Sequence, residues 1–247
     1  MIHAIAAIAI STSVCVVPEA VVQQAAVIGL ARSVGAGGSD SAALQYCEYF
    51  LVDDTGKARV LYYDPRGQKI AEKQLSSTVA SSGEAQLEEA RPDVMQEDFR
   101  LGEIREVIRD GDRWQMRYRK NRQDKVGEVE VPDSDVDVVD AGFDPFVRQH
   151  WEQLAAGGSI EFNFASPPHG QVVRLRARAV ACDGSVAAAE HLCLRVEPAN
   201  ALLRWFAGDL FLAYSSRDRR LRYFTGVVNL QDARGAAQKL SIRYSYR

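Results

Sequence analysis

The feature that most constrains this chain is strict two-residue alternation, repeated in segment after segment. Ile160, Phe162 and Phe164 alternate with Glu161 and Asn163, and Val173, Leu175, Ala177 and Ala179 alternate with Arg174, Arg176 and Arg178. Leu192, Leu194 and Val196 alternate with Cys193, Arg195 and Glu197. Leu240, Ile242, Tyr244 and Tyr246 alternate with Ser241, Arg243 and Ser245. Successive side chains of a strand point to opposite faces, so the pattern predicts antiparallel strands with one apolar face and one wet face. A sheet of many such strands must close, curl or be covered.

Further strands are expected at Leu44–Val52, Lys57–Asp64 and Lys69–Leu75, a meander punctuated by Asp53-Asp54-Thr55-Gly56 and Pro65-Arg66-Gly67. Phe99–Arg109 and Arg113–Lys120 flank Asp110-Gly111-Asp112, a hairpin signal, and Gly127–Val131 is a short strand. Ser76–Asp98 is polar, carries Pro92 and reads as a loop. Pro132–Asp140 reads as an acidic connector.

One segment has helical period. Asp144 is the expected N-cap and Pro145 the first helical residue, where its missing N–H costs nothing. Phe146, Val147, Trp151 and Leu154 share a face, and Gly157-Gly158 ends the run. The expected fold class is mainly β: a large curved antiparallel sheet, an open half-barrel, with one principal helix covering its concave side.

Residues 1–43 read as a signal peptide or disordered leader, followed by a single β-rich domain over 44–247. Ile2–Val17 is apolar and uncharged, Ala20–Ala31 is a second such stretch, and small residues follow at 34–43. The pattern is that of a secretory signal peptide, but it lacks a basic start, so either the assigned start is wrong or the segment stays as an anchor. The expected location is periplasmic or cell-envelope, with a cytoplasmic chain as the alternative. Four cysteines are too few for a disulfide framework. Cys15 is expected to leave with the leader and Cys47 to be a buried free thiol. Cys182 and Cys193 flank a hairpin loop and either pair or fall out of register.

A curved antiparallel sheet behind a secretory leader, with helical cover on its concave face, resembles the bacterial periplasmic lipoprotein carriers. The resemblance is one of architecture over Leu44–Arg247 and rests on no diagnostic motif. It implies an exported, non-enzymatic protein that binds a hydrophobic ligand, such as a lipid or lipoprotein-like molecule, or a partner segment in an apolar cavity between sheet and helix. The chain here offers one strong helix where the carriers have more cover.

Within that frame Trp151, Leu154, Leu203, Trp205 and Phe206 are the candidate ligand-binding residues. The last three lie in Leu202–Leu212, the densest apolar segment outside the leader. His150 is a candidate acid/base if the protein is an enzyme, and an assembly protein pairing through a sheet edge is a third class. Asp133, Asp135, Asp137 and Asp144 match part of a calcium-loop spacing, but Val138 stands where the loop needs Gly. Cys182, His191 and Cys193 lack a fourth zinc ligand of suitable spacing. No nucleophile elbow or phosphate-cradling loop is present, and no cofactor is called for. Residues 1–170 hold 17 Lys and Arg against 27 Asp and Glu, whereas residues 171–247 hold 13 against 6. Arg174, Arg176, Arg178, Arg195, Arg220, Arg222 and Arg243 are expected on a solvated outer face paired with Glu161 and Glu197. Tyr223, Tyr244 and Tyr246 fall on the inward parity. Nucleic acid is not an expected partner, because that outer face lacks aromatic platforms.

Overall fold

The computed structural model describes residues 14–34, 42–53, 57–76, 89–200 and 209–247. Among these the chain forms one sheet of 15 strands. The first eight are β1 (Val27–Ser33), β2 (Leu44–Val52), β3 (Ala58–Tyr63), β4 (Lys69–Ser76), β5 (Asp93–Asp98), β6 (Glu103–Asp110), β7 (Arg113–Arg119) and β8 (Gly127–Pro132). The other seven are β9 (Val138–Val139), β10 (Ser159–Ser166), β11 (Gln171–Ala179), β12 (His191–Pro198), β13 (Leu210–Ser215), β14 (Leu221–Val227) and β15 (Lys239–Tyr246). Three short helices accompany them: α1 (Glu19–Gln24), α2 (Phe143–Gln149) and α3 (Trp151–Ala155).

The strand order runs β8 to β1 without a crossover, then β15 back to β9. All pairings are antiparallel except β9 with β10. β1 and β15 are therefore neighbours in the middle of the sheet, and the two edges are the consecutive strands β8 and β9. This connectivity forces curvature. Fifteen flat strands would hold their edges roughly 70 Å apart, whereas the linker from Pro132 to Val138 reaches about 20 Å at most. The sheet therefore curls until its edges approach, and it remains open because β8 and β9 do not pair. Asp133 fixes the linker by accepting hydrogen bonds from Trp114 Nε1 at 2.9 Å and Arg109 at 2.9 Å.

The inner face carries the main core. Phe146, Val147, Trp151 and Leu154 are all buried, packing against Ile160, Phe162, Leu194 and Leu212 of the sheet. Burial of each such side chain contributes about 1.5–3 kcal/mol before entropy. The expected single helix is broken at His150, whose backbone leaves the helical region at φ −104° and ψ 18°. It also starts two residues early, with Gly142 at the N-cap. Asp144 does not cap, because its carboxylate is paired with Arg148 one turn on.

Several sequence expectations are corrected. The stretch assigned to a leader contributes α1 and β1, so the folded region includes residues 14–34 and not only 44–247; residues 1–13 lie outside the described residues. Cys15 bonds Cys47, which is not a free thiol, and the pair holds Val14–Pro18 and α1 over Tyr49, Leu61 and Tyr63 on the outer face. Cys182 and Cys193 also form a disulfide, over Ala213 and Tyr223. Asp93–Asp98, read as loop, is strand β5 between β4 and β6. Tyr223 faces outward. A register shift between Ala213 and Tyr214 pairs these residues with Tyr223 and Leu221, leaving Arg222 as an extra residue that reverses the parity of β14.

Candidate functional site

A cavity of about 440 Å³ lies between the inner face of the sheet and the segment Asp140–Asp144. Its two sides differ in chemistry. Phe162 and Phe164 of β10, Leu175 of β11, Val196 of β12 and Leu212 of β13 supply an apolar wall. Tyr46 and Glu48 of β2, Tyr62 of β3, Lys73 of β4 and Tyr244 of β15 supply a polar one.

Cross-strand register builds the polar wall. Glu48 pairs with Tyr62 on one side and Gly29 on the other, and Gly29 pairs in turn with Tyr244. Gly29 leaves the space through which the Tyr244 hydroxyl reaches across β1 and donates to Glu48 Oε2 at 3.2 Å. A Cβ at Gly29 would stand 2.8 Å from Tyr244 Cε1 and 3.1 Å from Glu48 Oε2. Gly29→Ala is therefore expected to destabilise the fold by about 1–3 kcal/mol through overpacking. It should also break the Tyr244–Glu48 contact. A urea midpoint equal to the parent's, with unchanged near-ultraviolet tyrosine dichroism, would refute this.

Burial pushes the Glu48 carboxyl up from its ordinary 4.5 to about 7. The positive charge of Lys73 and the phenols of Tyr244 and Tyr46 pull the other way without cancelling the effect. Lys73, itself buried, is committed to Asp140 as an ion pair. Asp140 also accepts from Asn229 Nδ2 at 2.9 Å and holds a left-handed backbone at φ 44°. Burial holds the Tyr46, Tyr62 and Tyr244 phenols well above their usual range, so they remain hydrogen-bond donors at neutral pH. Asp144, at the other end of the covering segment, is also pushed up by burial despite its partner Arg148.

Trp151 and Leu154 are core residues and are not part of the cavity wall. Phe143 and Asp144, earlier on the same helical segment, form the wall instead. Leu203, Trp205 and Phe206 lie outside the described residues. The neighbouring Leu210 and Leu212 do line the cavity. His150 is not in its lining; the His150 ring lies tilted against Phe146 at 4.4 Å, and its Nδ1 is hydrogen-bonded to the Phe146 carbonyl at 2.9 Å.

The calcium-loop aspartates are dispersed among other partners. Asp133 binds Trp114, Arg91 and Arg109, Asp137 accepts from the Asn163 N–H, and Asp144 takes Arg148. Among the described residues no group of three or more His, Cys, Asp and Glu side chains is arranged to hold a metal ion, and no helix is long and apolar enough to cross a membrane. Arg174 pairs with Glu161 at 2.8 Å and Arg176 and Arg178 with Glu197, as the alternation implied, whereas Arg220, expected on the same outer face, lines the cavity.

Sequence reasoning passed over Glu48. Its signal was available: Leu44–Val52 contains one charged residue, and that residue is Glu48. No family model, curated protein or solved structure matches the chain.

Proposed function

We propose that the protein binds a hydrophobic small molecule, without catalysing its conversion, in the cavity between the curved sheet and the Asp140–Asp144 segment. The observation that carries this reading is the cavity itself. It has the size of a small-molecule pocket, and one side is a continuous apolar wall. Affinity would come from covering that wall, with the buried polar groups opposite selecting the ligand. A lipid or acyl chain suits such a wall. The two disulfides support work in an oxidising compartment, in keeping with the expected periplasmic or cell-envelope location.

The test uses the neutral fluorescent probe N-phenyl-1-naphthylamine. The parent protein is expected to bind it and to release it to competing alkanols. Leu212→Trp and, independently, the less buried Leu175→Trp fill the cavity. Each should weaken probe binding by about tenfold or more, equivalent to about 1.4 kcal/mol, while retaining the parent's far-ultraviolet dichroism. Folded variants with unchanged affinity, or a parent that binds neither probe nor alkanol, would overturn the reading.

A further inference from the structure

We infer that the ligand of this cavity carries a protonated amine, which pairs with Glu48 between the rings of Tyr46, Tyr62 and Tyr244; the inference rests on the reading of the cavity as a ligand site. Charge matching supports it. Three carboxylates line the cavity: Glu48, Asp140 and Asp144. Asp140 is engaged by Lys73 and Asn229, and Asp144 by Arg148. Glu48 has no cationic partner within ion-pair distance among the described residues, and Tyr244 is its hydrogen-bond donor. Lys73 acts on it only through space.

A half-buried carboxylate without a counter-charge is costly, and a ligand cation offsets that cost more completely than any neutral group. The surrounding tyrosines suit the same ligand. Their ring faces attract a cation, and their phenol oxygens accept from its N–H groups. Tyr46 and Tyr62 stand edge to face at 6.0 Å, and Tyr244 closes the third side across Gly29. A carboxylate ligand would meet Glu48 and Asp140 as like charges, with Lys73 already committed and the other lining cation, Arg220, set over the Tyr246 ring. A neutral alcohol would leave Glu48 without a counter-charge. The apolar wall of β10–β13 then takes the aliphatic or aromatic body of the amine.

Displacement of N-phenyl-1-naphthylamine by octylamine, 1-octanol and octanoate separates these cases. The parent is expected to bind octylamine at least about tenfold more tightly than 1-octanol at pH 8. In Glu48→Gln that margin should vanish. The groups facing Glu48 are Lys73 from β4, Tyr62 from β3, Tyr244 from β15, Tyr46 on its own strand, and Asp140 from the covering segment. Because Glu48 holds its proton up to about pH 7, octylamine affinity should rise about tenfold between pH 6 and pH 8. That of 1-octanol should stay level. The pH comparison needs no variant.

Equal affinities for octylamine and 1-octanol, tightest binding of octanoate, a pH-independent octylamine affinity, or an amine preference that survives in Glu48→Gln would each overturn the inference and leave the cavity reading standing. Failure of all three compounds and of the probe to bind would overturn both.

Discussion

Glu48→Gln is expected to raise the stability of the protein by roughly 3 kcal/mol at pH 8 and by almost nothing at pH 4. The carboxyl titrates near 7 in the folded protein and near 4.5 when exposed. Below 4.5 it is protonated in both states and contributes no difference. Between 4.5 and 7 the unfolded chain releases the proton while the folded protein still holds it, so stability falls as pH rises. Above 7 both states are ionised and the full cost of the buried charge is present. An amide of the same shape keeps an acceptor for the Tyr244 hydroxyl and carries no charge, which removes that slope. In urea the midpoint should move upward by on the order of 1 M at pH 8. Asp144, also pushed up by burial, leaves a residual slope of the same sign in the variant. The same midpoint shift at pH 4 and pH 8 would show that Glu48 is not held in the state described.

Loss of the Cys15–Cys47 bond should cost about 3–4 kcal/mol, on the chain-entropy account of a cross-link. The two residues are 32 apart in sequence, so the bond restricts a long loop in the unfolded chain. It also secures Val14–Pro18 and α1, whose cover over Tyr49, Leu61 and Tyr63 is otherwise held by side-chain packing and a few hydrogen bonds, from Val16 N–H to the Pro65 carbonyl and from Arg247 to the Val22 carbonyl. Cys15→Ser in oxidised protein should lower the denaturation midpoint by more than Cys182→Ser, which opens a shorter loop of 11 residues. Under full reduction the Cys15→Ser variant and the parent should converge. Native, unreduced protein that alkylates at Cys15 and Cys47 would contradict the pairing.

The half of the fold that alternates was legible because its outer face is wet. β10, β11, β12 and β15 each set apolar residues against charged ones, and a single period assigns strand, face and neighbour class together. β1 hid for the opposite reason. Ile28 and Leu30 face the α1 side while Ala31 joins the inner core, so both faces are apolar and the strand reads as one more stretch of leader. β5 hid because its inward residues include Gln96 and Asp98, buried where the pattern calls for hydrophobes. The core face of α2 and α3 was legible from spacing alone, yet the cavity wall near it was not. Which residues close a core and which leave a gap is set by how facing side chains fill space, and no single strand records that. Glu48 belongs to the same class. A charge within an apolar strand becomes informative only once both faces of that strand are known to be covered.

The adjacency of β1 and β15 sets a schedule for synthesis. Tyr244 and Glu48, 196 residues apart, meet across Gly29, and both strands of this central seam contribute to the cavity wall. On the ribosome β2 through β8 can pair with their predecessors as they emerge, but the flank of β1 stays unpaired until β15 has been made. That flank is an open edge in the interval, and the cavity does not exist before it is sealed. A nascent chain therefore has no cavity to fill, and any ligand of the kind proposed could enter only after the two meanders have been stitched together.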